Sequence, residues 1–202
     1  MMKLHDLKDR SKENLERVKN LVKIYKSLVN NEKKHDKHDT DLLRAAVVLL
    51  HATLEDFVRV LVGWKLPHAS SDQIKKSDLR VPLHKLADNK ESTVGDFLIQ
   101  SLEEVLSRST YNNKDDVTKA LKSIGLDTIN LKTSDLETAM TRRHKIVHRG
   151  DRGGEAEAGK VNPIQANHVL KWIENVEVFI SDVSKQLEVQ ELPQNDEDTV
   201  ST

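Results

Sequence analysis

LLRAAVVLLHATLEDFVRVLVGW, residues 42–64, is apolar almost all the way round a helix. A helix at a protein surface shows one apolar stripe, whereas one with few polar positions is enclosed by its neighbours. The stretch therefore predicts a long, buried, central helix over residues 41–65, with Thr40 as N-cap and Pro67 as its stop. The polar exceptions Arg44, His51, Glu55 and Arg59 fall on one side of it at roughly 100° per residue. Charged groups on an enclosed helix need partners or a purpose. Glu55 and Arg59 have the i,i+4 spacing of a helical ion pair, which predicts an internal ladder. A second reading makes Glu55 and His51 supports that orient the groups of a functional site.

Working outward, residues 3–30 repeat Leu, Val and Tyr at three- and four-residue intervals with a charged opposite face, an amphipathic first helix. Between them, HDKHDTD at 35–41 could suggest a metal site, but a loop this polar reads as solvated and no further histidine completes a zinc set. Residues 66–92 read as an irregular connector. A third helix is expected from Val94 to Ser107 with Thr93 as its cap, and a shorter one from Asp115 to Ser123 stopped by Gly125. Another spans about 135–149, with Ser134 and Glu137 as a capping box and Gly150 as C-terminal glycine. GDRGGEAEAGKVN, with four of the seven glycines, is a surface loop, and Asn162–Pro163 open a final amphipathic helix. Trp64 and Trp172 fall on apolar faces and read as core. With no repeat and no alternating strand pattern, the expected fold is all-α. One domain covers residues 1–189, followed by an acidic, disordered tail at 190–202.

Composition narrows the function. Net charge is -1, from 32 basic and 33 acidic residues, so any nucleic-acid binding must use a local patch. Cysteine is absent, which removes disulfides, thiolate zinc sites and a cysteine nucleophile. The first residues are too charged for a signal peptide, and the longest apolar run is far short of a membrane span. These features predict a soluble, cytoplasmic protein. No glycine loop followed by Lys-Ser or Lys-Thr marks a phosphate cradle, and no Gly-x-Ser-x-Gly elbow is present.

The stretch RRHKIVHRGD, residues 142–151, answers the question of chemistry. Cations complement a helix C-terminus, which accounts for one or two of these side chains. It does not account for His144 and His148, four apart on one face, with Arg143 beside them. Histidine can take and give a proton near neutrality, and arginine offers a planar charged fork matched to phosphate. Those groups suit transesterification of an RNA phosphodiester without metal.

RRHKIVHRG resembles the signature of HEPN domains, small all-α modules with an Arg, a polar residue, three more residues and a His. Arg143, His144 and His148 occupy those positions. LLRAAVVLLHATLEDFVR is similar to the buried helix of the RiboL-PSP branch, and LSRSTYNNKDDVTKALKSIGLD resembles that branch's connection into the motif helix. The resemblance covers about residues 40–185. It implies a HEPN-like helical bundle and a metal-independent endoribonuclease, a toxin or anti-phage effector, acting as a homodimer whose motifs meet in one cleft. It also implies His148 as general acid or base, Arg143 as phosphate and transition-state ligand, and His144 as an orienting or assisting group. Arg142, Lys145 and Arg149 would contact the RNA backbone. Arg143 and His148 lie about 140° apart on an ideal helix, which favours a facing copy. No cofactor is expected. The near-neutral charge with one basic patch favours a compact RNA such as tRNA. The alternative is a non-catalytic HEPN module that binds a nucleotide or a partner protein such as an antitoxin.

Overall fold

The computed structural model describes residues 3–30, 38–70, 72–73, 102, 104–153 and 159–191. Among the described residues, five helices carry the fold: α1 (Leu4–Asn30), α2 (Asp41–Lys65), α3 (Lys114–Ser123), α4 (Glu137–Arg149) and α5 (Ala166–Glu191). Short 3-10 turns occupy Leu66–His68 and Thr133–Leu136. The fold is all-α.

Helix α2 is central, as its composition requires. It packs against α1, α3, α4 and α5, while α1 and α5 also pack on each other. Twelve of its residues are buried, Arg44 and His51 among them. Phe57 of α2 and Phe179 of α5 meet edge to face, with ring centroids 6.3 Å apart and planes at 78°. Both rings are essentially sealed, so this pair is an anchor of the core. Trp64 and Trp172 are half-buried and pack against that core. At Gly63 a Cβ would stand 3.1 Å from Leu106 Cδ1, so glycine here lets the segment before α3 approach α2 closely.

Several expected helix caps give way to other partners. Thr40 stands at the N-cap of α2 but makes no side-chain cap; its hydroxyl accepts from Arg44 Nη1 at 2.7 Å. Ser134 and Glu137 form no capping box. Ser134 lies inside a 3-10 turn, and the Glu137 carboxylate accepts from Lys114 Nζ of α3 at 3.1 Å. Asn162 and Pro163 do not open α5, which begins at Ala166. Their carbonyls are instead turned inward to arginines. By contrast, α3 is capped locally, with Asn113 Oδ1 accepting from Asp116 N–H at 2.9 Å, and Gly125 follows it with φ 81°.

Of the expected helix from Val94 to Ser107, Leu102 and residues 104–108 are described and are helical; its Thr93 cap lies outside the described residues. Most of the connector at 66–92, residues 31–37 of the polar loop and the tail from 192 onward also lie outside them. No helix among the described residues is long and apolar enough to cross a membrane.

Candidate active site

The basic stretch 142–151 covers the last two turns of α4 and its exit. Gly150 takes the left-handed conformation, φ 55° and ψ 31°, and its N–H returns to the Lys145 carbonyl. A glycine meets that requirement without the steric penalty a Cβ would bring. Asp151 follows at φ 59°, and its N–H donates to the same Lys145 carbonyl at 3.0 Å. Two successive left-handed residues turn the chain sharply back, and this places the Asp151 side chain inside the protein.

There Asp151 is the hub of a buried network. Its Oδ2 accepts from Arg44 Nε at 2.8 Å and from Arg142 Nη2 at 2.7 Å. Arg44 Nη2 also donates to Asn162 O at 2.8 Å, and Arg142 Nη2 to Asn162 O and Pro163 O at 3.1 and 2.9 Å. The Asp151 carbonyl accepts from Asn162 N and Asn162 Nδ2, both at 2.8 Å. The start of α2, the end of α4 and the approach to α5 are therefore joined through one carboxylate. Beyond it the loop closes as a short hairpin, with an antiparallel bridge between Arg152 and Val161 and with Gly153 N–H on Lys160 O at 2.9 Å. Residues 154–158 lie outside the described residues.

Arg142, expected on an RNA backbone, faces inward, and its Nη2 is taken by Asp151 and two carbonyls. Asp151 itself was not singled out from the sequence. The signal for it was indirect: Arg44 at one end of a buried stripe demands a carboxylate, and Asp151 is the acid that directly follows the helix-ending glycine.

The other side chains of the stretch divide between two faces. His144, Lys145, His148 and Arg149 are exposed, and the His144 and His148 rings lie 4.5 Å apart between centroids, tilted by 45°. One turn of α4 thus presents two imidazoles together at the surface, flanked by two cations. Arg143 is half-buried and points to another wall, donating Nη1 to Asn112 Oδ1 at 3.1 Å.

Beneath that wall runs the polar stripe of α2. The ladder expected between Glu55 and Arg59 does not form. Arg59 spends its guanidinium on the carbonyls of Leu106 and Ser109, both at 2.9 Å. Glu55 Oε1 accepts from Tyr111 N–H at 3.1 Å and stands 3.6 Å from His51 Nε2. His51 is buried, and its Nε2 faces Glu55 just beyond ordinary hydrogen-bond distance, with no closer partner for either ring nitrogen among the described residues. The carboxyl of Glu55 is held at a pKa of about 2, chiefly by the His51 ring; burial opposes this, while the Tyr111 N–H and the Arg143 charge add to it. Glu55 is thus a fixed anion beneath the 109–113 segment and within the field of Arg143. Among the described residues, no group of three or more His, Asp or Glu gathers in the manner of a metal site.

The assembled site is an exposed imidazole pair on α4 beside two exposed cations that have no partner among the described residues, a guanidinium on its flank, and carboxylates at Asp151 and Glu55 that tie the supporting elements together. A family model described as RiboL-PSP-HEPN matches residues 12–189. No curated protein and no solved structure matches the chain. The matched span takes in all of α2 to α4, most of α1 and nearly all of α5, and the chain belongs to the RiboL-PSP-HEPN family.

Proposed function

We propose that this protein is a metal-independent endoribonuclease, cleaving RNA by attack of a 2′-hydroxyl on the adjacent phosphate. Family membership points to RNA-related chemistry, and the observation that carries the finer reading is the exposed His144–His148 pair on the helix that also bears Arg143. One imidazole takes the 2′-hydroxyl proton as the new P–O bond forms. An imidazolium returns a proton to the departing 5′-oxygen, leaving a 2′,3′-cyclic phosphate and a 5′-hydroxyl. His148 is the principal acid or base and His144 assists or orients it. Arg143 binds the phosphate and stabilises the charge that builds on the phosphorane. Lys145 and Arg149 hold the flanking backbone by charge.

Arg143 turns toward Asn112 whereas the imidazoles face solvent, which supports a homodimer in which one protomer's arginine serves the other's histidines. Glu55, with His51 behind it, positions the wall that Arg143 contacts. The biological setting consistent with such an activity is a toxin or anti-phage effector restrained by a partner protein, with a compact RNA such as tRNA as substrate.

The test is direct. The purified chain is incubated with end-labelled tRNA in the presence of EDTA, and the products are examined for cyclic phosphate ends. Cleavage should persist in EDTA and should fall by two to four orders of magnitude, roughly, in His148→Ala, the usual scale for loss of a general acid or base. Arg143→Ala should lower kcat on the order of a hundredfold or more. Activity that EDTA abolishes, or that both variants retain, sinks the reading.

A further inference from the structure

The wall opposite Arg143 is residues 109–113, the connection into α3, and it is held more firmly than a short surface segment requires. Arg59 binds the carbonyls of Leu106 and Ser109. Glu55 receives the Tyr111 N–H, and the Tyr111 side chain is buried. Asn113 is fixed as the cap of α3. Two charged side chains of the central helix are thus committed to the main chain leading up to an exposed residue, Asn112, and the α3 cap fixes the residue that follows it.

Asn112 gives the fold little in return. Its oxygen accepts a hydrogen bond from Arg143 Nη1, and the side chain is otherwise at the surface. An amide oxygen turned to a guanidinium has one lone pair left, while both N–H donors of the NH2 group remain to offer. Guanidinium and amide together then form an edge rich in donors. Such an edge suits a group that only accepts, and the phosphate oxygens of a nucleic acid are of that kind.

We propose that Asn112 is a substrate-contacting residue of the site, donating its side-chain amide to an oxygen of the phosphate that Arg143 binds, with residues 109–113 as one wall of the RNA cleft. This rests on the ribonuclease reading above. Being neutral, Asn112 adds orientation and a hydrogen bond without adding charge. It holds Arg143 in place before substrate arrives and shares the phosphate with it afterwards.

Two substitutions separate contact with RNA from mere support of Arg143. Asn112→Ala removes both functions. Asn112→Asp keeps an acceptor for Arg143, and a stronger one, but sets a negative charge where the phosphate must lie. Binding is measured by anisotropy of a fluorescein-labelled, fully 2′-O-methylated single-stranded RNA, and cleavage by single turnover on tRNA, with the full chain throughout. Asn112→Ala should weaken binding and cleavage on the order of tenfold, the scale of one lost hydrogen bond. Its dependence on salt should match the parent's, because no counterion-releasing charge has been removed. Asn112→Asp should be worse than Asn112→Ala, on the order of a hundredfold below the parent, through repulsion between like charges. Because Asn112 is exposed, the melting temperatures of both variants should match the parent's.

An Asn112→Asp variant as active as the parent, or better than Asn112→Ala, overturns the proposal, as does an Asn112→Ala variant indistinguishable from the parent. A parent chain that neither binds nor cuts RNA fails at an earlier step and removes the ribonuclease reading together with this one.

Discussion

Arg142 and Asp151 at the α4 terminus, and their neighbours His144, Lys145, His148 and Arg149, come from the same ten residues and meet opposite fates. The first pair is turned inward, where each charged group finds an oppositely charged partner at hydrogen-bond distance. The second set is exposed and ends in solvent. A cation locked to a buried carboxylate is committed to the scaffold, because freeing it would strand a charge away from water. A cation left at the surface costs the fold almost nothing and remains available to a ligand. The same residue types therefore read as structure or as function according to where a buried partner lies: Arg142 and Arg149, seven positions apart, share one side of the helix, yet Arg142, two turns deeper, meets Asp151 while Arg149 at the last position ends in solvent.

The sharpest way to break that division is Asp151→Asn. Asparagine tolerates the left-handed φ of 59° and nearly keeps the side chain's shape, so the change removes the charge alone. Arg142 would then lose its carboxylate partner in the buried site, and Arg44 would keep only the exposed Asp41, 3.2 Å from its Nη1. Loss of one partner from such a network costs about 3–5 kcal/mol, or roughly 10 °C in melting temperature for a chain of this size. Arg142→Met should cost less, because Asp151 keeps Arg44 as its partner. If Asp151→Asn melts with the parent, the network is not the scaffold described here, and the inward half of the stretch loses its distinction from the outward half.

Glu55 stands between the two halves: it is a structural carboxylate that lies under the wall Arg143 touches. Its pKa of about 2 in the folded chain, against 4.5 ordinarily, means that folding favours the ionised form. That contribution to stability is fully present above pH 4.5 and is lost as pH falls through about 2. Glu55→Gln should lower stability at neutral pH by about 1.5–3 kcal/mol, the scale of a hydrogen bond to a charged group. Urea midpoints measured across the acid range should show the gap between parent and variant closing as pH falls from 4.5 toward 2. A gap that stays constant with pH would mean that the carboxylate's charge does not act there.

The parts of this architecture legible in the sequence are those governed by neighbours along the chain. Periodicity located α1 and α2 because burying an apolar face is a local pattern, and Gly150 announced the end of α4 because few other residues adopt its conformation easily. The misses share one cause. Glu137, Asn162 and Pro163 were placed at helix starts by local rules, and the carboxylate of the first and the carbonyls of the other two are taken by cations from elsewhere, Lys114, Arg44 and Arg142. Arg44 and Asp151 are 107 positions apart, and no spacing rule joins them. At the candidate site, residue chemistry singled out the arginines and histidines as a set. Which of two adjacent arginines points inward depends on where Asp151 lies, so the sequence left Arg142 and Arg143 looking alike. Asn112 and Tyr111 were silent because a connecting segment has no periodicity to read.

The gentlest probe concerns Lys145 and Arg149, the cations of the outward half. Both are exposed at the end of α4, where they complement the helix dipole only weakly under screening by salt. Replacing both with alanine should change stability by no more than about 0.5 kcal/mol each, the ordinary range for surface positions. RNA binding should respond differently. Each cation that neutralises a phosphate releases counterions, so removing two should flatten the plot of log affinity against log salt concentration by about 1.4–1.8 units, the lower value applying to single strands. The expected result is a chain that melts like its parent yet grips RNA less tightly and with less sensitivity to salt. Were melting to suffer while the salt dependence stayed the same, Lys145 and Arg149 would belong with Arg142 as parts of the scaffold, and the outward face of α4 would no longer be a surface for a polyanion.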